Sequence, residues 1–95
     1  MRDLTELDKL QKFLQENKYN FRRQDVFNEP YDVHQIVVYN ENDIRQWDAV
    51  VHHGSFGAEK GLLEVMGSCV VRTDDTVEGW LTAQDIIDRL KEDED

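Results

Sequence analysis

Hydrophobic residues recur at helical spacing near both ends of the chain. The apolar positions near the N-terminus are Leu4, Leu7, Leu10, Phe13 and Leu14. This spacing predicts an amphipathic helix from Leu4 to about Lys18, with Asp3 and Glu6 forming a capping box. The apolar positions near the C-terminus are Ile86, Ile87 and Leu90. They predict a second helix, with Thr82 as its N-cap and Asp85 adding favourable charge in the first turn.

Between the two helices, apolar residues follow the patterns of strands. Tyr19 to Phe27 is rich in charged residues, so we expect it to form an edge strand if it is extended. His34 to Tyr39 and Gln46 to His53 predict a hairpin, because both are rich in β-branched and aromatic residues and a polar turn joins them. A further strand region follows at Leu62 to Met66, and a polar loop then leads into the segment 77–81.

The order of helix, strands and helix indicates an α+β fold. We expect an antiparallel sheet of three to five strands, with an N-terminal and a C-terminal helix packed on one face. The chain of 95 residues is long enough for one modest hydrophobic core. We therefore assign residues 1–91 to a single domain and residues 92–95 to an acidic tail.

Strand alternation predicts two apolar faces on this sheet. The residues expected to face the helices are Trp47, Ala49, Val51, Leu63 and Val65. Val50, Leu62 and Met66 must then point to the opposite face, because successive side chains alternate along a strand. This second face is expected to bind a partner or a second copy of the chain, unless the loop at 55–60 folds over it.

Charge is distributed unevenly along the sequence. The chain has 21 acidic and 11 basic residues and a formal net charge of -10. Residues 1–47 contribute -2 of this charge and residues 48–95 contribute -8. An acidic surface repels phosphate backbones and anionic lipid, so we expect neither direct nucleic-acid binding nor membrane binding. The charge favours a basic protein partner or serves solubility.

The cysteine content and hydropathy bear on location. Cys69 is the sole cysteine of the sequence, which excludes an internal disulfide and is compatible with a reducing compartment. The N-terminal residues are charged and amphipathic, unlike a signal peptide, and no apolar run is long enough to span a membrane. We expect a cytoplasmic protein.

Candidate catalytic and cofactor motifs are incomplete. His52, His53 and Ser55 are close in sequence, but adjacent residues on a strand point to opposite faces and cannot engage one group together. The histidines and Cys69 lack the spacing of a metal site. The glycines at 54, 57 and 61 lack the ending of a phosphate-binding loop. We therefore expect no enzymatic activity, no metal and no cofactor.

Two segments carry a resemblance to a known group of proteins. The combination of WDAVVHHGSFGAEKGLLEVMG with TVEGWLTAQDII resembles small, largely uncharacterised proteins encoded by phages and prophages, and the resemblance spans residues 34–90. It implies a functional class that includes anti-CRISPR and anti-restriction inhibitors. Some proteins of this class occupy nucleic-acid channels by mimicking phosphate charge.

Our leading functional hypothesis is a non-enzymatic inhibitor that binds a basic, nucleic-acid-binding groove of a bacterial defence nuclease. The alternative is a small structural or assembly protein that forms a homodimer through the open sheet face. The residues expected to contact the partner are Asp48, Ser55, Phe56, Glu59, Glu64, Asp74, Asp75, Glu78, Asp85 and Asp88. The acidic tail would add further charge.

Overall fold

The computed structural model describes residues 2–92, which form two helices and five strands. The elements are α1 (Thr5–Glu16), β1 (Asn20–Val26), β2 (Val33–Tyr39), β3 (Arg45–His52), a short 3-10 helix (Ala58–Lys60), β4 (Leu63–Met66), β5 (Val77–Leu81) and α2 (Ala83–Glu92). All neighbouring strands are antiparallel, and their order in the sheet is β1-β2-β3-β4-β5. The predicted α+β architecture is confirmed. No helix among residues 2–92 combines the length and apolar character needed to cross a membrane.

The hydrophobic core lies between one face of the sheet and the two helices. One row across the centre of this face pairs Ile36 of β2 with Ala49 of β3, and Ala49 with Val65 of β4. The helices add leucines and isoleucines to the same core: Leu7, Leu10, Leu14, Ile86, Ile87 and Leu90. This arrangement follows from the predicted alternation, because one side of each strand and one stripe of each helix are buried together.

The core row ends in a charged residue at each edge of the sheet. Arg23 lies opposite Ile36 at the β1 edge, and Glu78 lies opposite Val65 at the β5 edge. Arg23 Nη1 donates to a carboxylate oxygen of Asp8 in α1 at 2.6 Å. Arg89 of α2 donates two hydrogen bonds to Glu78, at 2.8 and 2.9 Å. Inward-pointing charges therefore close both edges and tie each edge to a helix.

The helix termini confirm one predicted cap and correct the other. The Thr82 hydroxyl accepts from Asp85 N–H at 3.1 Å, and Asp85 Oδ2 accepts from Thr82 N–H at 3.0 Å. At α1, Asp3 accepts from the N–H of Thr5, but Glu6 makes no return bond to the helix start. Glu6 Oε1 instead accepts from Ala83 N–H at 2.8 Å, because the first N–H groups of α2 lack partners within their own helix.

Of the apolar residues predicted for the second face of the sheet, Val50 of β3 and Met66 of β4 lie on it, whereas Leu62 precedes β4. Val50 and Leu62 are half-buried, and Met66 is 49% exposed. In the loop at 55–60, Ala58 joins the core and the Phe56 N–H donates to Glu64, while the Gly61 that follows the loop lies against Asp3. Of the predicted acidic tail, Glu92 ends α2, and residues 93–95 lie outside the described part of the chain.

Candidate partner-binding site

Asp48 is a predicted contact residue on the second sheet face, which also carries Glu64. Its carboxylate accepts from Gln35 Nε2 at 2.6 Å and also pairs with the Arg45 guanidinium. The residue is buried, with 5% of its surface exposed. Its charge is therefore neutralised within the protein rather than presented to a partner.

Ser55 and Phe56 lie in the loop after β3, and Glu64 contacts this loop from β4. The Ser55 hydroxyl accepts from His52 N–H and donates to His52 C=O, both at 3.0 Å, so Ser55 is buried in a turn instead of exposed at a loop tip. Glu64 Oε2 accepts from Phe56 N–H at 2.7 Å, which fixes the loop against β4. The Phe56 side chain is 58% exposed. Of the three, Phe56 is therefore the residue available for contact.

The remaining predicted acids are divided between paired and exposed positions. Hydrogen bonds from Arg89 lower the pKa of Glu78, as do a hydrogen bond from the Arg72 N–H and the charges of both arginines, against an opposing effect of burial. Asp85 caps α2, and Asp88 accepts from Gln84 Nε2 at 2.7 Å. The predicted acids that are exposed and outside this paired group are Glu59, Asp74 and Asp75.

Residues 73–80, in β5 and the loop before it, form a groove together with Phe56. We call this groove the edge surface. The groove has a volume of about 600 Å³ and is open to solvent. It is lined by Phe56, Thr73, Asp75, Thr76, Val77, Glu78, Gly79 and Trp80. The structure thus brings Phe56, Asp75 and Glu78 of the predicted set together, and adds Trp80, which the sequence interpretation omitted.

Trp80 reaches the surface because β5 contains a bulge. Leu63 pairs with Leu81 and Val65 pairs with Glu78, so Gly79 and Trp80 together lie opposite Glu64 alone. Trp80 takes a left-handed backbone conformation with φ of +63°, and its side chain is 51% exposed. A glycine within a short strand is the sequence signal that could have indicated this bulge.

Close packing of two glycines joins the loop to β5. A methyl group on Gly79 would overlap Cβ of Phe56 and lie 2.8 Å from its carbonyl oxygen. A methyl group on Gly57 would lie 3.1 Å from Cα of Trp80, and Gly57 has a φ of +93°, which favours glycine. The Trp80 N–H also donates to the Phe56 carbonyl at 3.2 Å. These contacts hold the two exposed aromatic residues in fixed relation to each other.

The charges around the edge surface are of both signs. Asp75 lines the groove and is exposed, and its neighbour Asp74 is exposed as well. Lys60 Nζ lies over the Trp80 ring, 5.9 Å from the ring centroid. The site therefore combines an aromatic face that accommodates a cation with nearby carboxylates.

A separate network of charged residues links Arg2 to β1 and β2 through the buried Asp32 and His34. His34 is 2% exposed, and its two ring nitrogens lie 2.7 Å from an Asp25 oxygen and 3.0 Å from an Asp32 oxygen. Both hydrogen bonds to ionised carboxylates form together when both ring nitrogens carry protons. Arg2 binds Asp32 through two nitrogens, and Arg23 Nε donates to Asp25 at 3.1 Å.

The carboxylates of this network are held in their ionised form. Hydrogen bonds from Arg2 lower the pKa of Asp32 well below its ordinary range, against an opposing effect of burial. Burial raises the pKa of Asp25, but the hydrogen bonds from His34 and Arg23 lower it by more than burial raises it. The pKa of Asp25 is therefore below its ordinary value. No buried side-chain nitrogen or oxygen between residues 2 and 92 lacks a hydrogen-bond partner. The network holds Arg2 of the N-terminal segment against Asp32, next to β2.

The groups considered for catalysis and metal binding do not converge on one centre. The Ser55 hydroxyl bonds to the backbone of His52, while the His52 ring nitrogen Nδ1 accepts from Gly54 N–H at 2.9 Å. The serine and the imidazole therefore do not form a nucleophile and base pair in this geometry. Within residues 2–92, no three His, Cys, Asp or Glu side chains are grouped as a metal site requires.

No family model, curated protein or solved structure matches this chain.

Proposed function

We propose that this protein is a non-enzymatic inhibitor that docks its edge surface on a basic groove of a partner protein. The observation that carries this proposal is the half-exposed pair of Phe56 and Trp80 beside the exposed Asp75 on an acidic chain. Large aromatic side chains contribute strongly to binding when a partner buries them. The edge surface thus offers apolar contact area next to the exposed carboxylate of Asp75.

The charge of the whole chain supports a basic partner. The formal net charge of -10 attracts a positive surface over distances up to about a Debye length, roughly 8 Å at physiological salt. Such attraction mainly raises the rate of association, whereas buried aromatic contacts govern how long a complex lasts. The acidic residues and the edge surface would therefore act on different rate constants.

The partner class that we propose is a bacterial defence nuclease, bound at its nucleic-acid groove. The support is the sign of the charge, a formal net charge of -10. Grooves that bind nucleic acid are lined with lysine and arginine, so an acidic protein can compete for them. Inhibition would then follow from occupation of the groove, with no reaction catalysed by the inhibitor.

Two variants of equal net charge, Asp75→Asn and Asp88→Asn, test this proposal beside the wild type. The immobilised wild type, Asp75→Asn and Asp88→Asn would be incubated with bacterial lysate, and captured nucleases assayed for cleavage with and without added inhibitor. We expect the wild type and Asp88→Asn to capture a basic nuclease and inhibit it. Asp75→Asn should bind the same nuclease less tightly. Equal capture by both variants, or capture without loss of cleavage, would contradict the proposal.

The second sheet face supports an alternative function, a homodimeric structural or assembly protein. The observation that favours it is an apolar surface in which Met66 is 49% exposed and Val33, Val37 and Val50 are half-buried. Size-exclusion chromatography with light scattering, for the wild type and Met66→Glu, separates the two proposals. A dimer that Met66→Glu dissociates supports the alternative, and a monomer in both cases eliminates it.

A further inference from the structure

The Trp80 side chain occupies an unusual position for a tryptophan in a small domain. The other tryptophan, Trp47, is 3% exposed in the core, whereas Trp80 is 51% exposed. Its φ of +63° is uncommon for any residue other than glycine and is an outlier for a bulky one. Backbone strain of this kind is concentrated at sites of binding and catalysis. The strained backbone and the exposed ring together make Trp80 a candidate contact residue.

The ring already lies next to a cation. Lys60 extends from the short 3-10 helix, and its Nζ atom is 5.9 Å from the centroid of the Trp80 ring. A lysine at an exposed ring is held weakly, because water solvates the ammonium group on its other sides. A cationic side chain that arrived within a closed interface would be less solvated and would be held more firmly.

The surroundings of the ring favour a positively charged side chain. Phe56 and Asp75 line the same groove as Trp80, so an aromatic wall and an exposed carboxylate lie on its borders. The hydrogen bond from Trp80 N–H to Phe56 C=O and the close contact at Gly79 keep these groups in place. A preorganised aromatic and acidic groove selects arginine or lysine over neutral side chains.

We infer that Trp80 is the anchor for an arginine or lysine side chain of the partner, and that Lys60 occupies this position in the unbound protein. This inference rests on the proposed docking of the edge surface and identifies the chemistry of its central contact. On binding, the partner's cation displaces the Lys60 ammonium group from the ring, and Lys60 turns toward solvent. The anchor thus provides specificity for a basic side chain in addition to general charge attraction.

The test uses calorimetric titration with a short peptide in which arginine alternates with serine. The same peptide with citrulline in place of arginine is the neutral control, and a lysine version distinguishes the two cations. We expect the wild type to bind the arginine or lysine peptide and not the citrulline peptide. Trp80→Asn removes the ring while retaining a residue that tolerates the left-handed backbone, and should weaken binding about fivefold or more.

The substitution Lys60→Met tests whether Lys60 competes with the peptide for the Trp80 ring. If Lys60 had only a structural role, this substitution would not strengthen peptide binding. It removes the competing ammonium group and should strengthen peptide binding about two- to fivefold. Lys12→Met is the matched control, because Lys12 is exposed on α1 and its loss changes the net charge equally. Equal affinities for the Lys60 and Lys12 variants would show that Lys60 does not occupy the partner's position.

The outcomes separate the anchor from the docking surface. If Asp75→Asn weakens binding and Trp80→Asn does not, the edge surface stands and the anchor assignment is overturned. If neither substitution changes the affinity, both the anchor and the proposed docking surface are overturned. Equal binding of the citrulline peptide would show that the groove does not select a cation.

Discussion

The substitution Gly79→Ala tests how the edge surface is built. The added methyl group would overlap Cβ of Phe56 and lie 2.8 Å from its carbonyl oxygen and 3.2 Å from its carbonyl carbon. Since carbon atoms in contact are normally about 3.5–4.0 Å apart, the loop must move by on the order of 1 Å. That movement also breaks or lengthens the hydrogen bond from Trp80 N–H to the Phe56 carbonyl, which measures 3.2 Å.

The expected loss of stability follows from these two effects. Overpacking typically costs about 1–3 kcal/mol, and a lost hydrogen bond costs about 0.5–1.5 kcal/mol. The reduced freedom of alanine in the unfolded chain offsets about 0.4–1 kcal/mol. We expect the free energy of unfolding to fall by about 2 kcal/mol, which corresponds to a decrease in Tm of roughly 8–16 °C for a domain of this size.

Gly54→Ala is the matched control for this experiment. Its methyl group would meet the His52 ring at 3.4 and 3.6 Å, which are ordinary contact distances. Urea denaturation of both variants measures the difference, with an unchanged m-value as evidence that the unfolding reaction is the same. If Gly79→Ala were as stable as Gly54→Ala, the packing of Phe56 against β5 described above would be wrong.

Three further predictions concern the core and its charged borders. Glu78→Gln should flatten the acid side of the stability profile, because Arg89 lowers the pKa of Glu78. The ionised carboxylate stabilises the fold above about pH 4.5, and this contribution is lost as the pH falls through the lowered pKa, as urea denaturation across pH would show. Leu10→Ala should reduce the free energy of unfolding by about 2–5 kcal/mol, measured in the same way. His34→Ala should lower Tm more than His53→Ala in thermal scans, because His34 is buried between two carboxylates and His53 is exposed.

Local patterns in the sequence were sufficient for the elements whose interactions are local. The cap formed by Thr82 and Asp85 involves residues three positions apart, and the alternation of β3 involves immediate neighbours. In contrast, Glu6 bonds to the N–H of Ala83, which is 77 positions away. Its role at the start of α2 depends on the packing of the helices and cannot be deduced from the spacing of Asp3 and Glu6.

The candidate site could be predicted from the sequence in part. Composition gives the number of acidic residues, but it does not indicate which carboxylates are already bound within the protein, as those of Asp48 and Glu78 are. Ser55 follows a glycine and suggests an exposed loop, yet its hydroxyl bonds to the backbone of His52 and is buried. Trp80 is exposed because the bulge in β5 forms opposite Glu64 on another strand. Gly79 could have indicated a bulge, but the residue that it faces cannot be deduced from the segment 77–81 alone.

The most direct test of the edge surface as the docking site is an NMR titration of the nitrogen-15-labelled protein. The arginine and serine peptide would be added, and the backbone amide signal of each residue followed. We predict that the largest shifts occur in residues 73–80 and at Phe56, with smaller changes on α2. Shifts concentrated on α2 or on the second sheet face around Met66 would contradict the central claim.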